Sequence, residues 1–179
     1  MKAETSLTKV GSIDLKIIVS VGLCILTSTV LHVLGLKIHY DNMELDIIQK
    51  ATAAIACLLV TQDNLETSRG TGWMRIKVTT MAAATALIVV TVDTLIGNHW
   101  ASIGLTMVGV FITMLLCKLI KAPYMNCRIG AISYVLIAVT LSGQARIVYA
   151  IIRVFSTFYG VAVVLFVTWL FSLFTIDKG

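Results

Sequence analysis

Arg153, Thr157 and Gly160 follow one another at i, i+4 and i+7, and Arg75, Thr79 and Ala82 show the same spacing 78 positions earlier (153 − 75 = 78). In a helix, residues so spaced share one face, because two turns take about seven residues. A guanidinium can grip both oxygens of a carboxylate at once. The hydroxyl beside it adds a polar contact, and the small residue lets a neighbouring backbone come close. The chemistry this points to is anion binding. Arg146 lies seven residues before Arg153 on the same face, and Tyr149 and Ser156 extend the polar stripe. Asp46, Gln49 and Lys50 head a short apolar stretch; there Lys50 either draws an anion into a vestibule or belongs to a solvated helix start. Gln62 and Gln144 close the two short apolar stretches, where their amides can donate to a carboxylate or cap loops. Plainer roles exist for the cations: Arg153 can snorkel to headgroups, and Arg75 and Lys77 can serve topology and anionic lipid. Asp93, five turns after Arg75 on the same face, can take a proton or cap a helix end.

The elements that carry these residues are apolar runs. The chain has 179 residues, 58% of them apolar and 13% charged, with one proline and a mean hydropathy of +0.95. Soluble domains carry about a quarter charged residues, so lipid is the expected solvent. The net charge of +5 is scattered between apolar runs, which speaks against a nucleic-acid surface. The runs predict an all-α, polytopic membrane protein with six transmembrane helices: 13–36, 51–60, 73–96, 101–120, 129–141 and 146–175. The segments 37–46 and 61–72 read as polar loops, the second turning at Gly70 and Gly72. The first run is too long for a signal peptide and is expected to remain as a helix. Cys24, Cys57, Cys117 and Cys127 form no C-x-x-C pair and read as buried thiols. The three histidines lack ligand spacing. No phosphate loop or nucleophile constellation is present, so neither an enzyme nor a bound metal or cofactor is expected.

Six spans place both termini on one side. Ten Lys and Arg residues fall in the terminal segments and the loops on that side, against Lys37, Lys50, Arg146 and Arg153 on the other. The positive-inside bias makes that side cytoplasmic, and the expected location is a bacterial inner membrane. Three helices per half, 1–100 and 101–179, force the second half to be inverted. Inverted repeats with short apolar segments at matching places are a plan of secondary transporters. Few helices per copy suggest a homo-oligomer, with Gly104, Gly109 and Gly160 as packing positions.

The stretch Ala53–Gln62, then Gly72-x-x-Arg75 and Thr79, resembles the first membrane half of the fusaric-acid-resistance and aromatic acid exporter family. Arg153, Thr157 and Gly160 resemble its second arginine helix, and Ile137–Gly143 its fifth-helix ending. The likeness spans about Ile13 to Phe174. It departs at Val78, where glycine is expected, and at Ala82. No counterpart of the family's cytoplasmic helical domain is expected within these 179 residues. The resemblance implies a six-helix module, working as a pair or larger assembly, that exports organic anions such as aromatic carboxylates. An anion channel built on the same arginines, or a membrane scaffold with no flux of its own, is the alternative reading.

Overall fold

The protein is described by a computed structural model over residues 11–35, 37–40, 43–46, 48–140 and 145–176. Six helices are joined in chain order: α1 (Ser12–Val33), α2 (Lys50–Val60), α3 (Leu65–Ile96), α4 (His99–Leu119), α5 (Tyr124–Thr140) and α6 (Ala145–Ile176). A short antiparallel hairpin, β1 (Lys37–Tyr40) and β2 (Met43–Asp46), follows α1, with Lys37 opposite Asp46. The helices α1, α3, α4 and α6 are long and apolar enough to cross a membrane, whereas α2 and α5 are shorter apolar helices.

Three boundaries differ from the sequence reading. Within the segment expected as a loop, 37–40 pairs with 43–46, so Asp46 lies in β2 and does not share a helical turn with Gln49 and Lys50. The expected loop 61–72 is mostly helix, because α3 begins at Leu65 and takes in Gly70 and Gly72. Gly72 is a contact point, not a turn: a Cβ there would lie 2.6 Å from Val161 Cγ1 and 3.2 Å from Val60 Cγ1. The third is α5, which starts directly after Pro123; the Pro123 carbonyl accepts from the amides of Asn126 and Cys127. Just before it, α4 ends in a Schellman cap. Lys121 adopts φ 55°, and the amides of Lys121 and Ala122 bond back to the carbonyls of Lys118 and Cys117.

The centre of the bundle is the pair α3 and α6, each of 32 residues, about 48 Å at 1.5 Å per residue. They run antiparallel: Asp93 near the end of α3 meets Arg146 at the start of α6, while Gly72 near the start of α3 meets Val161 in the second half of α6. Around this pair, α6 rests on α1 and α2 as α3 rests on α4 and α5, with α1 against α2 and α4 against α5 on the flanks. Exchanging the first three helices for the last three leaves this pattern unchanged.

Two grooves along the α3/α6 seam repeat the correspondence residue by residue. One, of about 580 Å³, includes Trp73, Ile76, Val161 and Leu165 in its wall. The other, of about 230 Å³, includes Ile151, Val154, Ala83 and Leu87. Each pair is 78 positions apart (73 + 78 = 151, 76 + 78 = 154, 83 + 78 = 161, 87 + 78 = 165), the same offset that separates Arg75 from Arg153. Small residues let the helices close. At Gly160 a Cβ would stand 2.6 Å from the Ala53 carbonyl oxygen and 2.9 Å from Ala56 Cβ, so α6 lies almost on the α2 backbone. Gly109 leaves room for the Tyr134 ring between α4 and α5, and Ala82 is fully buried beside Tyr134 and Ile137. Gly104 faces open space.

Candidate functional site

Arg75 and Arg153 both point into the protein. Each is only 5% exposed. Among the described residues neither meets a carboxylate. Arg75 Nε and Nη1 and Arg153 Nε have no hydrogen-bond partner there. Arg153 Nη1 makes one long bond, donating to the Tyr149 hydroxyl at 3.4 Å. Removing a cation from water costs several kcal/mol unless it is paired, and native interiors rarely leave such donors unmet. Each arginine is thus a buried positive charge that no described carboxylate compensates.

The two threonines in matching positions differ. Thr157 Oγ1 donates to the Arg153 carbonyl one turn back, at 2.9 Å, so its proton is spent on its own helix. Thr79 Oγ1 is buried without a partner. Ser156, next to Thr157 on α6, bridges to α2: it donates to the Ile152 carbonyl and accepts from the Gln49 backbone amide, both at 2.8 Å. The Gln49 side chain in turn accepts from Thr52 at 2.7 Å. These bonds pin the start of α2, which has no side-chain cap of its own, against the face of α6 that carries Arg153.

A cavity of about 500 Å³ opens beside that junction, walled by parts of α1, α2, α5 and α6. Arg153, Lys50, Gln49 and Tyr149 supply its polar wall together with His32, and Ile55, Leu136 and Ile152 supply apolar surface. Among the described residues no Asp or Glu lines it. Charged and amide donors on one side and aliphatic carbon on the other suit an amphiphilic anion with a flat or apolar body. Arg75 is not part of this wall.

The other expected residues lie elsewhere. Arg146 is engaged by Asp93, Nη1 to Oδ2 at 2.8 Å, and Asp93 also accepts a short bond from Ser102 at the start of α4. Gln62 lies at the far end of α2 from Lys50, about 18 Å away along the helix, where its backbone N–H donates to Ser68 Oγ at 3.1 Å. Gln144 lies outside the described residues. Lys77 stacks its ammonium 5.6 Å from the centre of the Trp73 ring. The pairing of Asp93 with Arg146 was not visible in the sequence, since it depends on α3 and α6 running antiparallel. Among the described residues no group of His, Cys, Asp and Glu is placed to hold a metal ion, and all four cysteines are free and buried.

No protein-family model, no curated protein and no solved structure matches this chain. The likeness to the aromatic acid exporters therefore rests on the motifs quoted above.

Proposed function

We propose that this protein is a multi-pass transporter of the bacterial inner membrane that exports organic anions, aromatic carboxylates among them. In this reading the chain spans six times with both termini cytoplasmic. Its halves, 1–100 and 101–179, are inverted repeats about the α3/α6 seam, a plan typical of secondary carriers. The antiparallel central pair, the exchangeable packing pattern and the matched grooves support the repeat.

The observation that carries the functional reading is the pair of buried, unpaired guanidinium groups on α3 and α6, with a cavity reaching one of them. A carboxylate arriving there meets Arg153, with Lys50 and Gln49 across the cavity, and sets its ring against Ile55 and Leu136. Arg75 and Thr79 offer the matching station in the other half. A wall that holds one arginine of the two fits a carrier that presents them in turn better than an open pore. Gly104, exposed with free space around it, leaves α4 available to a second copy.

The test is flux of a labelled aromatic carboxylate in proteoliposomes, native protein against Arg153→Gln at equal folded incorporation. Native vesicles are expected to exchange the solute saturably, and the variant to lose most of that flux. Native vesicles that move no more than empty ones, across a panel of organic anions, would overturn transport by this chain alone. Unitary currents would replace the carrier with a channel.

A further inference from the structure

The two grooves that share an offset of 78 differ in chemistry, and the difference is confined to one end. Among the described residues, the wall of the smaller groove is aliphatic and aromatic carbon apart from Thr80. The larger groove adds Glu66, Arg69 and Gly70 to its wall, and has Trp73 where its mate has Ile151. At the positions 78 residues on from Arg69 and Gly70 stand Ile147 and Val148. One groove therefore keeps a plain helix seam while the other has gained a cation, an anion, an indole and a notch. Its mate serves as an internal control.

The added groups are ordered along the helix. Glu66 and Arg69 are exposed one turn apart near the start of α3, Gly70 leaves open space beside them, and Trp73 follows one turn deeper, 57% exposed. Below Trp73 the wall becomes Ile76, Val161 and Leu165. Charged groups at the rim, an indole under them and an apolar floor follow the profile of a bilayer leaflet from headgroup to acyl chain. The Lys77 ammonium, 5.6 Å from the centre of the Trp73 ring, adds a cation–π contact to the indole. Acid and base side by side match a zwitterionic headgroup, in which one phosphodiester and one ammonium are separated by two carbons.

We propose that this groove binds an aminophospholipid such as phosphatidylethanolamine. Arg69 holds the phosphodiester, Glu66 accepts hydrogen bonds from the ammonium, Trp73 lies at the level of the esters, and one acyl chain runs over Ile76, Val161 and Leu165. A quaternary choline headgroup has the same charge but no N–H to give Glu66. Phosphatidylglycerol has no cation for it at all.

Native mass spectrometry of the purified full chain, offered phosphatidylethanolamine, phosphatidylcholine and phosphatidylglycerol of identical acyl chains, tests this without any flux measurement. The native protein is expected to retain the ethanolamine lipid about tenfold better than the choline lipid, the scale of one charge-assisted hydrogen bond. Glu66→Ala should equalise those two lipids. Arg69→Ile, which copies the mate groove, should lose both, and Gly70→Val should block the notch. Both positions are exposed and a Cβ at Gly70 meets nothing within 4 Å, so the variants should keep the helical content and elution volume of the native chain. Equal retention of the ethanolamine and choline lipids by native protein, a preference for phosphatidylglycerol, or undiminished retention by Arg69→Ile would overturn the proposal. A failure of anion flux leaves these outcomes untouched, so the two readings fail separately.

Discussion

At the residue scale, the two threonines provide a sharper test than the arginines. Thr79 and Thr157 occupy matching positions and are both almost fully buried, but only Thr79 has a hydroxyl without a partner. If the seam binds a carboxylate, Thr79→Val removes a free donor and should raise the KM for the anion about tenfold, the scale of a hydrogen bond to a charged group. Thr157→Val should change it little, because that proton already serves the Arg153 carbonyl. Equal effects of the two substitutions in a flux titration would remove Thr79 from the site. Glycines allow a similar contrast in stability. Gly160→Ala puts a methyl against the Ala53 carbonyl, a backbone atom that cannot swing away, and overpacking of this kind costs about 1–3 kcal/mol. Gly104→Ala meets nothing within 4 Å and should melt like the native chain. Thermal unfolding in detergent distinguishes them.

At the scale of elements, the ion pair Asp93–Arg146 is the polar tie between α3 and α6 at the end where the cavity opens. Both side chains are partly exposed, 14% and 20%, so the pair is screened less than a surface bridge but is not sealed. Asp93→Asn and Arg146→Gln should each lower stability, and the double variant should lose less than the sum. The expected coupling is about 1–2 kcal/mol, within the range for residues in direct contact. A coupling near zero would mean that the tie does not hold the helices together. This pairing also shows where sequence reading stopped. The spacing of Arg75 and Thr79, and of Arg153 and Thr157, was legible because a helical face repeats every three to four residues. Partners across helices, such as Asp93 with Arg146 or Ser156 with Gln49, have no such period. Boundaries failed where glycine carried two meanings. Gly70 and Gly72 look like turn residues, but inside α3 the second is a place for Val161 and Val60 to approach. The hairpin at 37–46 was missed for a related reason: two four-residue strands are too short to show an alternating pattern.

At the scale of the whole molecule, the antiparallel α3/α6 pair makes a topological prediction that does not depend on any substrate. Lys16 of α1 donates to the Asp63 carbonyl after α2, at 2.7 Å, so those helix ends lie together. At the opposite end Ser28 of α1 reaches the Ile48 carbonyl before α2, and Asp93 gathers the ends of α3, α4 and α6. Among the described residues the first end holds Lys16, Arg69, Lys118, Lys121 and Arg128, and the second holds Lys37, Lys50 and Arg146. If the bilayer reads this asymmetry, the first end is cytoplasmic. Single cysteines at Gly70, Lys121 and Asn98, all exposed, should then divide into two classes when intact cells meet an impermeant maleimide. Asn98→Cys should react, whereas Gly70→Cys and Lys121→Cys should react only after permeabilisation, with the buried native thiols giving a low background. Labelling of Gly70 and Lys121 from outside would turn the molecule over and make Arg153 the cytoplasmic station. Labelling of Gly70 and Lys121 on opposite sides would break the inverted repeat itself, because α3 and α5 would then enter the membrane from different faces and the exchange of halves would lose its axis.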